Sequence, residues 1–268
     1  MKKIIIVTGA SSGMGIEFAR ELAKRPVDEL WLVARRLDRL DRLAGELRAL
    51  NSGLIIRTAA TDIGGRVGGH IIGNLLAKAA ENGGLFIDTL VNNAGFGTYG
   101  RFDTAGLDRQ LDEIELNVTA LTAITGTALP YMERGSRIIN TASLAAFSAM
   151  GGFAVYAATK AFVLNFSLGL AAELEQKGIK VIALCPGSVD TEFSRVASEG
   201  VREKVAHGKP PAAVVRHCLS CLGHGKKIAI MSLKWRIKAF LPRFFGRYFT
   251  AKVTMYTEKR PSKSDIEK

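Results

Sequence analysis

Short apolar runs rich in β-branched residues alternate along this chain with longer amphipathic stretches. The runs predict strands near residues 3–8, 29–34, 54–59, 88–92, 137–141, 180–184 and 227–230. Helical periodicity fills most of the intervals, as at 15–24, 38–50 and 155–176. Strands that are apolar throughout, rather than at alternate positions, are covered on both faces, which indicates a parallel sheet between helical layers. With right-handed crossovers the pattern gives an α/β, doubly wound, Rossmann-like sheet of about seven strands in a single domain. Residues 1–231 read as that domain and 232–268 as an extension. The stretch 64–84 is rich in glycine without the spacing of a phosphate loop, and predicts a weak helix with frayed ends.

Composition narrows the class without naming a function. The chain has 268 residues, 47% hydrophobic and 23% charged, which excludes collagen-like, disordered and disulfide-scaffold proteins. Three cysteines make no disulfide framework and fit a reducing compartment. The lysines and isoleucines at the start imitate a signal peptide, but Thr8-Gly9-Ala10-Ser11-Ser12 breaks the run too soon, so a buried first strand and a cytoplasmic location are expected. No apolar run reaches the roughly 18 residues that cross a bilayer. The net charge of +12 is uneven: residues 224–268 hold 12 Lys and Arg against 3 Asp and Glu, leaving +3 for the rest. His217, Cys218, Cys221 and His224 include a Cys-x-x-Cys, but they fall in a helical stretch with no second ligand pair, so packing is expected there and no metal.

The first predicted strand runs into Gly9, Ser11, Ser12, Gly13, Met14 and Gly15 and then a helix. Glycines in that setting let a pyrophosphate approach backbone N–H groups at a positive helix end, so a dinucleotide site is predicted. The second strand ends at Arg35-Arg36, where an acid would select NAD. Two guanidinium groups instead suit a 2′-phosphate, which favours NADP(H) over NAD(H). Asn92-Asn93-Ala94-Gly95 follows the fourth strand, Ser143 follows the fifth, and Tyr156 precedes Lys160 by four residues. Tyr and Lys at that spacing share a helix face, where an ammonium would lower a phenol pKa from about 10 towards neutrality.

Together these residues resemble the short-chain dehydrogenase/reductase family, over roughly residues 3–230. The resemblance rests on Thr8-Gly9-x-x-x-Gly13-x-Gly15, Asn92-Asn93-Ala94-Gly95, Asn117, Ser143, Tyr156, Lys160 and Pro186-Gly187. It implies an NAD(P)(H)-dependent oxidoreductase in which Tyr156 is the acid or base and Ser143 binds the substrate oxygen. Lys160 would hold the nicotinamide ribose and depress the Tyr156 pKa, and Asn117 would anchor a proton-relaying water. It also implies cofactor contacts from Asn93, Ala94 and Gly95, from Asp62 and Ile63 at the adenine, and from Pro186, Gly187, Val189 and Thr191 around the nicotinamide. Asp62 reads equally well as the cap of the next helix. The family's habit of pairing through long helices implies a homodimer or homotetramer.

An apolar cleft is expected from Leu144, Ala145, Phe147, Met150, Phe153 and Phe193, with Phe96, Tyr99 and Phe102 adding to the wall. No Arg or Lys in the loop after Ser143 holds an anionic substrate. The leading expectation is a ketone and secondary-alcohol oxidoreductase for a steroid-like or lipid-like small molecule. A 3-ketoacyl or fatty-acyl thioester reductase and an NADP(H)-sensing protein at a membrane surface are the alternatives. The basic, aromatic extension reads either as a cover for the cleft or a dimer surface, or as a peripheral membrane contact. No recognition motif points to nucleic acid.

Overall fold

A computed structural model describes residues 1–81, 83–203, 207–257, 260, 261 and 263. The chain runs β1 (Lys2–Thr8), α1 (Gly13–Leu22), β2 (Glu29–Ala34), α2 (Leu37–Leu50), β3 (Ile55–Ala60), α3 (Gly65–Ala80) and β4 (Leu85–Asn92). It continues through α4 (Leu107–Ile114), a π-helical turn (Glu115–Ala120), α5 (Leu121–Ala128), β5 (Arg137–Thr141), α6 (Ala154–Glu173) and β6 (Lys180–Leu184). Last come α7 (Phe193–Ala197), α8 (Pro211–Gly223), β7 (Ile228–Ala229), α9 (Leu233–Phe240) and α10 (Arg247–Thr257).

The seven strands form one parallel sheet in the order β3-β2-β1-β4-β5-β6-β7. The chain reverses its direction of growth between β1 and β4, so a crevice opens beyond their carboxyl ends. Successive residues of β1 serve opposite faces: Ile5 and Val7 join a core with Phe18, Leu40 and Val214, while Ile4 and Ile6 join one with Ile72, Ile124 and Leu170. Both faces are therefore apolar, as the unbroken hydrophobic runs require.

Two expectations need correcting. Helix α3 is a full sixteen-residue helix, and its glycines are contact points. A Cβ on Gly69 would fall 2.7 Å from the Cβ of Ala123, and one on Gly73 would fall 2.8 Å from Thr127, so glycine lets α3 lie close on α5. Strand β4 begins at Leu85, earlier than predicted, because Asp88 interrupts the apolar run without ending the strand. Helix α6 is, among the described residues, the one helix long and apolar enough to cross a membrane, and it packs on β5 and β6 with half of its length buried.

The amino ends of the strands carry a buried charge network. Glu29 accepts hydrogen bonds from Trp31 (2.8 Å) and Arg57 and pairs with Lys2 at 3.1 Å. Burial alone would raise its pKa, but these donors together outweigh it and hold the carboxyl at about 2. Asp88 similarly meets Arg25 (3.1 Å), Lys3 (3.3 Å), Arg137 (3.7 Å) and the Thr89 hydroxyl (2.7 Å).

Candidate active site

At the crevice the end of β1 is pinned to β4 by Thr8. Its hydroxyl donates to the Val91 carbonyl at 3.1 Å and accepts from the N–H groups of Asn93 and Ala94. The turn that follows needs glycine. Gly9 and Gly13 have φ of +66° and +54°, and a Cβ on Gly15 would fall 2.1 Å from the Gly9 carbonyl oxygen. The Ser12 side chain leaves the first N–H groups of α1 uncapped. Backbone donors at a positive helix end beside a turn too tight for any Cβ fit a pyrophosphate, so the cradle suits a dinucleotide.

Every predicted site residue except Gly15 and Asn117 lines one cleft of about 1470 Å³, larger than the ~300–1,000 Å³ of a single small-ligand site. Gly15 lies beneath the turn against Gly9, and Asn117 sits behind the cleft wall. At one end Arg35 is 72% exposed and 3.8 Å from Asp62. Asp62 accepts from the Gly64 N–H, and Gly64 is the cap residue of α3, so Asp62 shapes the turn before the helix instead of capping it. Arg36 donates to the Ser11 hydroxyl (3.3 Å) and to Glu192 (3.0 Å), and Arg39 reaches Glu192 at 2.9 Å. Burial pushes the Glu192 pKa up, but the two guanidinium groups win and lower it. Sequence reasoning missed Arg39 and Glu192. Arg39 follows Arg36 by three residues, one helical turn, and Glu192 directly follows Thr191.

The chemical end is built on α6, the π-helical turn and the ends of β4 and β5. Lys160, 4% exposed, donates to the Thr141 carbonyl at 2.8 Å. Its Nζ lies 5.7 Å from the Tyr156 ring centroid. The Asn117 side chain is committed to Phe96, bonding both its N–H and its carbonyl, and to the Thr159 hydroxyl at 3.1 Å. A Cβ on Gly95 would fall 2.6 Å from Asn117 Oδ1 and 3.4 Å from Lys160 Nζ, so this glycine brings the two together. Asn93 donates to the Thr8 carbonyl at 3.2 Å, holding the loop that carries Ala94 and Gly95. The Ser143 hydroxyl accepts from the Ala145 N–H at 3.1 Å and faces the Tyr156 phenol.

Electrostatics here run against the expected lowering of the phenol pKa. Burial raises the Tyr156 pKa, with Ser143 offsetting only part of it. Burial also brings Lys160 down to about 8, against a partial pull upward from Glu113. The enclosed site penalises both charged forms, so the phenol keeps its proton. Glu113, also missed from the sequence, is fully buried on α4, which packs against α6, and neither of its oxygens reaches hydrogen-bond geometry with a described residue. Burial drives it up to about 7, moderated by Thr98, Lys160 and Arg109.

The loop after β6 closes the cleft. Gly187 is covered by Trp235 of α9, whose indole would lie 2.5 Å from a Cβ there. Val189 bridges to Lys209, and Thr191 accepts from the Phe193 N–H at 3.3 Å. The Tyr156 ring stacks on Phe153 (4.2 Å) and tilts against Phe193 (5.3 Å). Leu144, Ala145, Met150, Phe96 and Tyr99 complete the apolar wall as predicted. Phe147 and Phe102 do not: Phe147 packs behind it beside Val163, and Phe102 is 63% exposed. The C-terminal extension forms the outer wall, and it brings to the cleft Lys234, Lys238 and Arg260, cations that the loop after Ser143 does not supply. Cys218 and Cys221 are buried in α8, with the His217 ring 3.4 Å from Cys221.

Residues 3–202 match the short chain dehydrogenase family. A very-long-chain 3-oxoacyl-CoA reductase from Anas platyrhynchos is 34% identical over 225 residues, covering 81% of this chain and 68% of that protein. An NADP-dependent 3-hydroxy acid dehydrogenase from Schizosaccharomyces pombe is 34% identical, covering 75% of this chain and 77% of that one. Among solved structures, a short-chain dehydrogenase from Sphingobium yanoikuyae in complex with NADPH superposes with a TM-score of 0.76 at 29% identity, over 96% of each chain. Because the matched stretch carries the glycine cradle and the Tyr156 and Lys160 pair alike, the chain belongs to the short chain dehydrogenase family and is an NAD(P)-dependent oxidoreductase of carbonyl and alcohol groups.

Proposed function

We propose that the protein is an NADP(H)-preferring reductase that converts an apolar, steroid-like or lipid-like ketone to a secondary alcohol, and the reverse. The observation that carries this reading is a protonated, buried Tyr156 in an aromatic-walled cleft whose far end holds Arg35 and Arg36. When bound, the dinucleotide supplies or accepts the hydride at its nicotinamide. Tyr156 gives its phenolic proton to the carbonyl oxygen in reduction and takes it back in oxidation. The Ser143 hydroxyl donates to the same oxygen as charge builds on it. Lys160, still mostly charged at neutrality but brought down to about 8 by burial, steadies the phenolate and passes the replacement proton beside Asn117. Gly9, Ser11, Ser12, Gly13 and Met14 would hold the pyrophosphate on the turn that Gly15 lets close beneath them, and Arg35 and Arg36, with Arg39 behind them, would take the 2′-phosphate. Asp62 and Ile63 would meet the adenine, and Pro186, Gly187, Val189 and Thr191 the nicotinamide.

We read residues 1–231 as the catalytic domain and 232–268 as an extension that completes the cleft. The exposed apolar residues Leu111 (49%) on α4 and Phe162 (40%) on α6 suit a homodimer or homotetramer joined through these helices. Three buried free thiols accord with a cytoplasmic setting. A second reading, reduction of a 3-oxoacyl thioester, is favoured by Lys234, Lys238 and Arg260 at the cleft, which would meet an anionic carrier, and by the 3-oxoacyl-CoA reductase relative.

The test follows NADPH consumption against free ketones and 3-oxoacyl thioesters, with NADH, Tyr156→Phe and Arg35→Ala/Arg36→Ala alongside. Turnover of bulky free ketones, cut about 10²–10⁴-fold in Tyr156→Phe, is expected. The double arginine variant is expected to weaken NADPH and spare NADH. Turnover of thioesters alone selects the second reading, and activity that survives Tyr156→Phe overturns the mechanism.

A further inference from the structure

The outer side of the C-terminal segment is a second surface, one that the reaction does not use. Between His224 and Thr257 the sequence holds eight Lys and Arg and no Asp or Glu. One side of this segment is fixed to the domain: Trp235 covers Gly187, Met255 lies against Gly151, and Thr254 accepts the Gly151 N–H at 3.2 Å. The other side stands in solvent, with Phe240 53%, Phe244 70% and Tyr248 75% exposed.

These side chains form an organised surface. Phe240 and Phe244 meet edge to face at 5.1 Å, Arg243 lies 5.6 Å from the Phe240 ring and Lys252 lies 5.5 Å from the Tyr248 ring. A face that mixes bare aromatic rings with cations, and carries no Asp or Glu between residues 224 and 257, suits an apolar layer and a negative layer together. An anionic bilayer interface supplies both within a few ångströms: rings enter the acyl boundary while Lys and Arg reach the headgroups. Phe245 and Phe249, each about half exposed, belong to this face and also line the cleft, so the mouth opens beside it.

We propose that this surface docks the protein on an anionic lipid bilayer with the cleft mouth turned to the membrane, so that an apolar substrate enters from the lipid. Docking stands on the surface alone; entry of substrate from the lipid rests on the oxidoreductase reading above.

The experiment is sedimentation of the full chain with phosphatidylcholine vesicles, and with vesicles in which roughly one-third of the lipid is phosphatidylserine. Two variants accompany it, Arg243→Ser/Arg247→Ser/Lys252→Ser and Phe244→Ser/Tyr248→Ser. None of these five side chains lines the cleft. The wild type is expected to sediment with the phosphatidylserine vesicles and to be released by salt. Each variant should lower the partition coefficient about 10-fold or more. NADPH-linked turnover of a water-soluble ketone should stay within about twofold of the wild type in both variants, which reports that they are folded. If one variant does not fold, the other decides. Equal partition of wild type and folded variant, equal binding to both vesicles, or no binding to either overturns the proposal. Loss of a lipid-free dimer in the variants, with vesicle binding unchanged, overturns it in favour of an interface between two copies. Vesicle binding by a wild type that turns over no ketone or thioester leaves docking standing and removes the oxidoreductase reading alone.

Discussion

The two ends of the sheet both bury ionisable groups and treat them in opposite ways. At the amino ends, Glu29 and Asp88 are surrounded by donors, and their pKa values fall despite burial. At the carboxyl ends, Tyr156 and Glu113 rise and Lys160 falls, each driven chiefly by burial that its neighbours do not cancel. Partnered charge at one end holds strands together. Incompletely compensated charge at the other costs stability and leaves groups able to exchange protons near neutrality. The contrast separates a supporting pole from a working pole within a single sheet.

The working pole is tested most severely by Lys160→Met. Turnover should drop about 10²–10⁴-fold. Stability should instead rise by about 1–2 kcal/mol at pH 7, measured by denaturant unfolding. The sign follows from proton counting: with a folded pKa of about 8 against 10.5, the folded chain binds fewer protons between those values. The penalty is therefore complete below pH 8, and the variant's gain fades as pH rises from 8 and is gone above 10.5. A loss of stability at pH 7 would contradict the working-pole reading.

Glu113→Gln sharpens the same contrast with the opposite pH dependence. A carboxyl raised from 4.5 to about 7 costs stability as pH rises through that window. The variant should match the wild type below pH 4.5 and exceed it by about 3 kcal/mol above pH 7. Thermal melts at several pH values check this, and a pH-independent offset would refute it. The smallest effect is expected from Asp88→Asn at the supporting pole, a destabilisation of about 2 kcal/mol with turnover unchanged. Stability from Glu29 at the same pole should be lost as pH falls from 4.5 towards 2, through its lowered folded pKa.

The sheet was legible because its inner strands are apolar on both faces; the bounds shift by one residue at β1, β3 and β7 and by three at the start of β4, where Asp88 interrupts the apolar run. The cleft was legible for a related reason: its residues sit at strand ends and on one helix face, positions that spacing alone defines. What the sequence hid depends on tertiary neighbours. The glycines of α3 look like helix breakers until α5 lies against them. Glu113 looks like one more acid on an amphipathic helix, and only its burial against α6 makes it unusual. Helical spacing measures the proximity of Tyr156 to Lys160 but not the solvent lost by both, so it does not predict the rise of the Tyr156 pKa. Composition does not say which side of a basic, aromatic helix meets the domain; only the fold does.

The placement of Trp235 over Gly187 has a spectroscopic consequence. The chain has two tryptophans, and Trp31 lies at the supporting pole, bonded to Glu29. Each pole thus carries its own intrinsic fluorophore, one sensing the strand ends and one the loop that closes the cleft. With Trp31→Phe, emission from the remaining indole follows cofactor entry in real time, and with Trp235→Phe it follows unfolding of the sheet, so one instrument separates local closure from global stability.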